Sequence, residues 1–566
     1  MSNSPSGVSP QPPSLEKRLP LALALMMLVL LVSQYLFKPA PGPKPVTAPA
    51  NEKTAAQVTA KPAVSAESPT AAPTSGQLQA SSEVTTEIDT ALYHIAFTNR
   101  GATVKSWVLK KFQDNSGKPL QLINTAASNL PLPFSIEVTG AKLPFDPNTV
   151  LYHPKLLAGA TGVEYAYSDG KTSIRKSFQF AKDSYLSEIK SEVIQNGVAI
   201  PNIIMWRGGF GDQKVRNATA SQHTIHYDTA AGKLVTKTAK DAKNGHVTDS
   251  GNYTFAGLED AFFAAAALPN SGSTLDIRTY SDEVKLPNEE KPIPYVGAGI
   301  STGAQNNISL FVGPKDIDIL NKVNPKLGQI VDWGFFGIIA KPLFLWLNWV
   351  HDHWTNNYGW AIIIVTLIIN IALFPLRFSS LRSARKMQKL QPQLQAINAK
   401  YKNISIRDPR KAQQNQEVME LYKKEGVNPV GGCLPMLIQL PFFYAFYRVL
   451  SIAIELRHAP WLWVPDLSAP ETLPIHLLPI ILVASQFLTQ NLTPAAGVDP
   501  SQQRMMKMMP LIFGFMFYYA SAGLVLYWLT GNVVGIAQQL IINRFMPSPS
   551  PAAPAGKAPV KRTTKK

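Results

Sequence analysis

Five long apolar runs crowd the C-terminal two-fifths of the chain, and almost all of its excess positive charge lies on one side of them. Lysine and arginine outnumber aspartate and glutamate by one before residue 19, by eight over residues 377–433, by one over 491–507 and by six after residue 543. These stretches hold 16 of the 17 net positive charges, while residues 38–340 set 29 basic against 27 acidic side chains. Short basic loops stay in the cytoplasm. The pattern therefore fixes a topology first: an integral membrane protein with basic loops inside and a large domain outside.

A chain of 566 residues calls for two or three parts. Its single cysteine, Cys433, excludes an intramolecular disulfide. The outer domain must then be held by its own core, which is feasible at about 240 residues. A basic chain can signal nucleic acid, but the one-sided loops already account for the charge, so DNA is not an expected partner. The first apolar run, residues 19–37, follows Lys17 and Arg18 and is long enough to span the bilayer. The bulky Tyr35-Leu36-Phe37-Lys38 favours an uncleaved anchor, with residues 1–18 in the cytoplasm, over a cleaved signal.

Residues 38–85 form a Pro/Ala-rich linker, with eight prolines by residue 80. Such composition buries too little surface to fold and reads as a tether. Short, partly alternating runs follow at 92–97, 102–109, 134–138, 162–167 and 187–193, separated by Asn-Arg-Gly, Asp-Gly and Asn-Gly. Residues 86–325 are expected to form an all-β sandwich. Residues 333–355 are apolar but carry Lys341-Pro342 and three tryptophans toward one end. Were they to cross, the basic segment 377–433 would lie outside, so they read as an amphipathic helix in the outer interface.

Spans are expected at 360–378, 434–455, 475–491, 505–521 and 523–542. Residues 510–542 would make a helix of about 50 Å, too long for one crossing, and Ser521-Ala522-Gly523 is the weak point. The fold class is thus an all-β outer sandwich plus an α-helical membrane core of five spans, with one N-terminal anchor helix. Loops 456–474 (outside) and 492–504 (inside) connect the spans, and a basic tail, 543–566, returns to the cytoplasm. The cytoplasmic segment 379–433 reads as a helical hairpin. Met387, Leu390, Leu394, Ile397 and Tyr401 recur at spacings of three and four. Asp408 with Pro409 starts the second arm, and Gly426 with Pro429 stops it.

No catalytic constellation stands out: G-x-S-x-G, H-E-x-x-H and a phosphate-binding glycine loop are all lacking from the sequence. His223 and His226 sit three apart, which on a strand puts their rings on opposite faces. An enzyme, a metal centre and a cofactor are not expected. The informative residues are polar ones within the spans, because such groups are costly in lipid. They are Thr366, Asn370 and Arg377, then Gln439 and Arg448, then Gln486, Thr489 and Gln490, and finally Thr530, Asn532, Gln538 and Gln539. They cluster at middle depth and toward the cytoplasm, so any wet cavity opens inward. Arg448, among Phe442, Phe443, Phe446 and Leu450, either snorkels or pairs with Glu455, or it stands as a fixed charge in that cavity.

VNPVGGCLPMLIQLPFFYAFYR (427–448), ELRHAPWLWVPDLS (455–468), DPSQQRMMKMMP (499–510) and SAGLVLYWLTGNVV (521–534) resemble the YidC membrane protein insertases. The resemblance covers about 330–545. The order of anchor, outer β-domain, interfacial helix and five-span core is similar to the Gram-negative form, with a periplasmic domain in the inner membrane. In the β-domain, Thr98-Asn99-Arg100-Gly101 is the best local cue.

The resemblance implies a chaperone and insertase without nucleotide hydrolysis. A groove open to cytoplasm and lipid would take the polar end of a nascent membrane protein. By matching position, Thr366, Tyr527 and Trp528 would line the substrate path and Gln439 the groove. Asn370, Arg377, Arg448, Gln486, Gln490 and Asn532 complete the expected set. Arg385, Lys386, Lys389, Lys561, Arg562, Lys565 and Lys566 would face the ribosome, and the β-domain the Sec translocon. Membrane lipids are the remaining partner.

One departure matters: members of the family usually carry an arginine where Asn370 stands, five residues before Pro375-Leu376. Either the groove is uncharged or the charge has moved, to Arg448 from the neighbouring helix or to Arg377 two turns below. The hairpin tip at 401–409 is longer than usual. A transporter would show polarity through the full thickness, and an anchored carbohydrate-active protein would place its site in the β-domain.

Overall fold

Strand alternation builds the first half of the molecule. The computed structural model describes residues 76–545 except 158, 160, 215–217, 270–273, 287–288, 402–407, 428–433 and 493–499. The anchor expected at 19–37, most of the linker and the tail after residue 545 lie outside the described residues. Among the described residues between Thr85 and Pro314, nineteen strands form sheets of four, ten and five strands, every pairing antiparallel. The ten-stranded sheet runs from Lys233–Lys237 at one edge to His153–Leu156 at the other. It packs on the five-stranded sheet through Tyr253–Glu259 and Ile293–Ser301.

Each expected run falls on a strand: Tyr93–Thr98, Thr103–Gln113, Ser135–Val138, Gly162–Ser168 and Leu186–Gln195. In Thr172–Phe180 every second residue points inward, placing Ile174, Lys176, Phe178 and Phe180 in the core. Trp107 anchors that core, 5.4–6.0 Å from the rings of Tyr93, Phe134, Phe180 and Trp206. The all-β expectation for 86–325 fails over its last residues. Asp316 caps a helix, α1 (Ile317–Val323), by accepting from Asp318 N and Ile319 N at 2.9 and 3.0 Å.

Lys176 braces the backbone from within. Its buried ammonium donates to the carbonyls of Gly101 (2.6 Å), Phe134 (2.8 Å) and Ala102 (3.4 Å). All three residues are left-handed, with φ of 66°, 67° and 47°, a conformation costly for Ala and Phe unless the surroundings impose it. The adjoining Asn99 accepts from Val84 N and donates to Ser82 O and Tyr152 O.

The second half is helical: α2 (Gly337–Val350), α3 (Tyr358–Ala372), α4 (Phe374–Lys389), α5 (Gln391–Lys400), α6 (Arg410–Lys424), α7 (Leu434–Ile452), α8 (Leu477–Leu492), α9 (Pro500–Phe517) and α10 (Ala522–Phe545). Only α10 is by itself long and apolar enough to cross a membrane among the described residues, while α8 and Lys507–Phe517 are shorter apolar helices. Gly337–Thr355 and α3 pass that test jointly but meet at 114°. Asn356, left-handed at φ 49°, makes the corner. Asn357 then caps α3 by accepting from Gly359 N and Trp360 N. This corner falls between residues 333–355, expected as an interfacial helix, and 360–378, expected as a span. The helix expected to reach residue 455 stops at Ile452, and α9 and α10 break at 518–521, close to the expected Ser521-Ala522-Gly523.

The hairpin stripe divides at Leu390, just ahead of Pro392. Leu390 and Leu394 pack with Val418, Leu421, Tyr422 and Val427 of the second arm, and Asp408 accepts from Arg410 N at its start. The bundle core joins Ile362 and Val365 of α3, Phe446 and Val449 of α7, Leu482 of α8 and Val525 of α10.

Burial brings the Lys176 ammonium down to about 7. The unfolded chain holds that proton up to about 10.4. The charged-lysine cost is therefore full below about pH 7 and is relieved as pH rises toward the unfolded value. We expect β-domain unfolding in full-length protein to shift to higher denaturant between pH 7 and 9. Lys176→Met should abolish that rise and cost about 2–3 kcal/mol through the orphaned carbonyls. Parallel pH profiles for the two proteins would refute this.

Candidate functional site

From Thr530 onward, α10 is where the bundle's polar side chains meet. Within single helices they bond back to the preceding turn: Thr366 Oγ1 to Ile362 O (2.6 Å), Asn370 Nδ2 to Thr366 O (2.8 Å), Thr489 Oγ1 to Ser485 O (2.9 Å) and Thr530 Oγ1 to Leu526 O (2.8 Å). Two side-chain bonds donated by α10 cross to neighbouring helices. Asn532 Nδ2 donates to Ser485 Oγ at 2.9 Å, joining α10 to α8, and Gln538 Nε2 donates to Asn370 O at 3.1 Å, joining α10 to α3. Gln538 Oε1 is buried without a partner among the described residues. Further inward, Asn543 accepts from Gln539 and from Arg385.

Arg377, on the first turn of α4, lays its guanidinium over Gly535 of α10. A Cβ added to Gly535 would lie 2.8 Å from Nη1 and 3.0 Å from Cζ, so any larger residue there would push the guanidinium from this position. Among the described residues the Arg377 guanidinium makes no hydrogen bond or ion pair, while its backbone N–H donates to Leu373 O. Toward the outer end of α10 the seam closes over rings. Tyr527 stacks on Phe446 at 4.3 Å, and Trp528 meets Phe443, Phe513 and Phe517 at 4.7, 5.4 and 4.6 Å. Tyr527 is buried and Trp528 partly exposed.

The structure thus gathers Asn370, Arg377 and Asn532 along α10, with Thr366 buried one turn above Asn370. Gln486 and Gln490 lie half-buried on α8, and Gln439 is exposed on α7.

Two sequence expectations need correction. Arg448 is not in this seam: its Nε and Nη2 donate to Asp332 O (2.9 Å) and Asp332 Oδ2 (2.6 Å), ahead of α2, and it lines a cavity on the outer side. A cation so paired has no need of Glu455. Arg385 faces inward to Asn543 and is buried, whereas Lys386 and Lys389 are exposed. Lys561, Arg562, Lys565 and Lys566 lie outside the described residues. Sequence reasoning missed Gly535, whose contribution is a missing side chain, and Ser485, a small hydroxyl in an apolar run.

Residues 349–549 match the family described as 60Kd inner membrane protein, and residues 85–346 match the YidC periplasmic domain. The membrane protein insertase YidC of Geobacter sp. (strain M21) is 35% identical over 478 residues, covering 81% of this chain and 85% of its own. That of Citrifermentans bemidjiense is 33% identical over 559 residues, covering 94% and 99%. The chain belongs to the YidC membrane protein insertases. Like them it inserts nascent membrane proteins, is not an enzyme, and belongs to the inner membrane with a periplasmic β-domain. A solved active YidC insertase with its first transmembrane domain resolved covers 81% of this chain and 94% of its own at 20% identity, with a TM-score of 0.35.

The Asn532–Ser485 bond predicts a measurable coupling. In a double-mutant cycle with Asn532→Ala and Ser485→Ala, unfolding in mixed micelles should give about 0.6–1.7 kcal/mol. Strict additivity would mean that the two helices are not joined there.

Proposed function

We propose that the seam along α10 is a hydrophilic groove, open to the cytoplasm, that receives the polar end of an incoming chain, with Arg377 as its cation. The observation that carries this reading is an arginine within the membrane half, without an anionic partner among the described residues, seated over Gly535. An unpaired charge in a low-dielectric setting is costly. An incoming carboxylate would relieve that cost, so the site is poised for acidic or strongly polar segments. Asn370, on the helix before it, then needs no charge of its own. Gln439, Gln486, Gln490 and Asn532 supply neutral donors and acceptors around the opening. Thr366, Tyr527 and Trp528 border the path of the apolar segment.

The full topology in this reading has the anchor at 19–37, the interfacial α2 and five spans, with both termini in the cytoplasm. The positive-inside pattern supports it. Lys386, Lys389 and the tail lysines with Arg562 provide a basic surface for the ribosome, and the β-domain faces the Sec translocon.

Complementation and in vitro insertion test the cation. Arg377→Ala should lower insertion of substrates with acidic translocated segments by at least about tenfold, while Arg377→Lys retains part of it. Adding Asn370→Arg to Arg377→Ala should restore insertion. Arg448→Ala should leave insertion intact. Full activity of Arg377→Ala on acidic substrates would reject the assignment.

A further inference from the structure

The loop between α7 and α8 is gripped from both sides. On one side it holds the start of α10: Ala522 N donates to Ala469 O (2.8 Å) and Gly523 N to Leu467 O (2.9 Å). On the other it enters the β-domain through Arg457, whose Nη2 donates to Asp212 Oδ2 at 2.5 Å. Both side chains are almost fully buried, at 4% and 1% exposure. Arg448 and Asp332 also tie α7 to the segment ahead of α2, but no other ion pair among the described residues is buried so completely.

The socket for Arg457 is built in advance. Asp212 ends the segment Arg207-Gly208-Gly209-Phe210-Gly211, in which Gly208, Gly209 and Gly211 are left-handed at φ 79°, 96° and 86°. A side chain at Gly211 would collide with Asp260. Asp260 accepts from Asp212 N at 2.8 Å and from Phe262 N and Phe263 N, while Asp212 Oδ1 accepts from Lys214 N at 2.9 Å. Asp212 is thus fixed before Arg457 arrives. The guanidinium lies 5.5 and 6.0 Å from the rings of Phe263 and Phe262. Beside it opens a cavity of about 1670 Å³ between the β-domain and the outer end of the bundle, walled in part by Asp466, Ser468, Ser521 and Leu524.

We infer that Asp212 and Arg457 are positioning residues for insertion. Their buried pair clamps the outer loop to the β-domain, so that its backbone bonds to the first turn of α10 keep the outer end of the proposed groove shut. Removing one member leaves the other charged and buried, a state that strongly favours separation of the two surfaces. Once separated, the loop loses one of its two anchors, and the carbonyls of Leu467 and Ala469 no longer fix where α10 begins. The clamp rests on the groove reading above.

Cysteine accessibility tests it in full-length protein in oriented membranes. With Cys433→Ser as background, Thr530→Cys, two turns into α10, is probed with a membrane-impermeant maleimide from either side. With the pair intact, labelling should come from the cytoplasmic side only. Asp212→Asn and Arg457→Gln should each raise labelling from the outer side by about tenfold. Arg457→Lys, which keeps the charge, should restore shielding, an effect that general destabilisation would not show. Unchanged outer labelling in both Asp212→Asn and Arg457→Gln would overturn the clamp. If Thr530→Cys is unlabelled from the cytoplasm even with the pair intact, the groove reading fails instead.

Discussion

Polar groups inside hydrocarbon need partners, and this requirement organises the membrane half. Hydroxyls of Thr366 and Thr530 return to their own helices, which satisfies them locally. Amides are larger and have two ends, so they bridge: Asn532 to Ser485, Gln538 to Asn370 O. Since α10 supplies both bridges, it is the common member of the α8 and α3 contacts. The Arg377 guanidinium is left without a partner among the described residues by this scheme. It is accommodated by space at Gly535 and not by a counter-charge.

The outer domain solves a different problem, that of a large sheet protein without disulfides. Its aromatic core around Trp107 supplies apolar burial, but three residues at its centre hold left-handed backbone with their carbonyls turned inward. One lysine answers all three carbonyls at once. That solution is sensitive to protonation, because the same burial that makes the bonds valuable disfavours the charge. A carboxylate beside Lys176 would remove the sensitivity. The described structure offers only carbonyls and the Tyr152 ring, 5.7 Å away.

Much of this was legible in the sequence, for physical reasons. Strands such as Gly162–Ser168 announce themselves by alternation, with Val163, Tyr165 and Tyr167 turned inward. The corner at Asn356 and Asn357 was foreshadowed by charge, because crossing at 333–355 would have placed basic loops outside. What could not be read is contact over long separation. Arg448 looked like a groove charge because its neighbours along the helix are apolar, yet its partner Asp332 lies 116 residues away. Arg385 looked like surface charge because it stands among other basic residues, but Asn543, 158 residues on, takes it inside. The short helix Ile317–Val323 was hidden in strand-rich surroundings, and its cap, Asp316, was the missed signal.

The two ends of α10 are held by different chemistry, and the difference has a consequence. At its start, backbone amides bond to backbone carbonyls of the outer loop, contacts that no side-chain substitution can remove directly. At its inner half, side chains bond across to α8 and α3, contacts that another polar chain could compete for. A helix fixed by its backbone at one end and by exchangeable side-chain bonds at the other should yield first at the exchangeable end. Polar substrate would then enter from the cytoplasm without disturbing the outer closure. This asymmetry links the position of Gly535, beneath Arg377, to that of Gly523, beneath Leu467 O: at each end, glycine lets a neighbour approach the helix backbone.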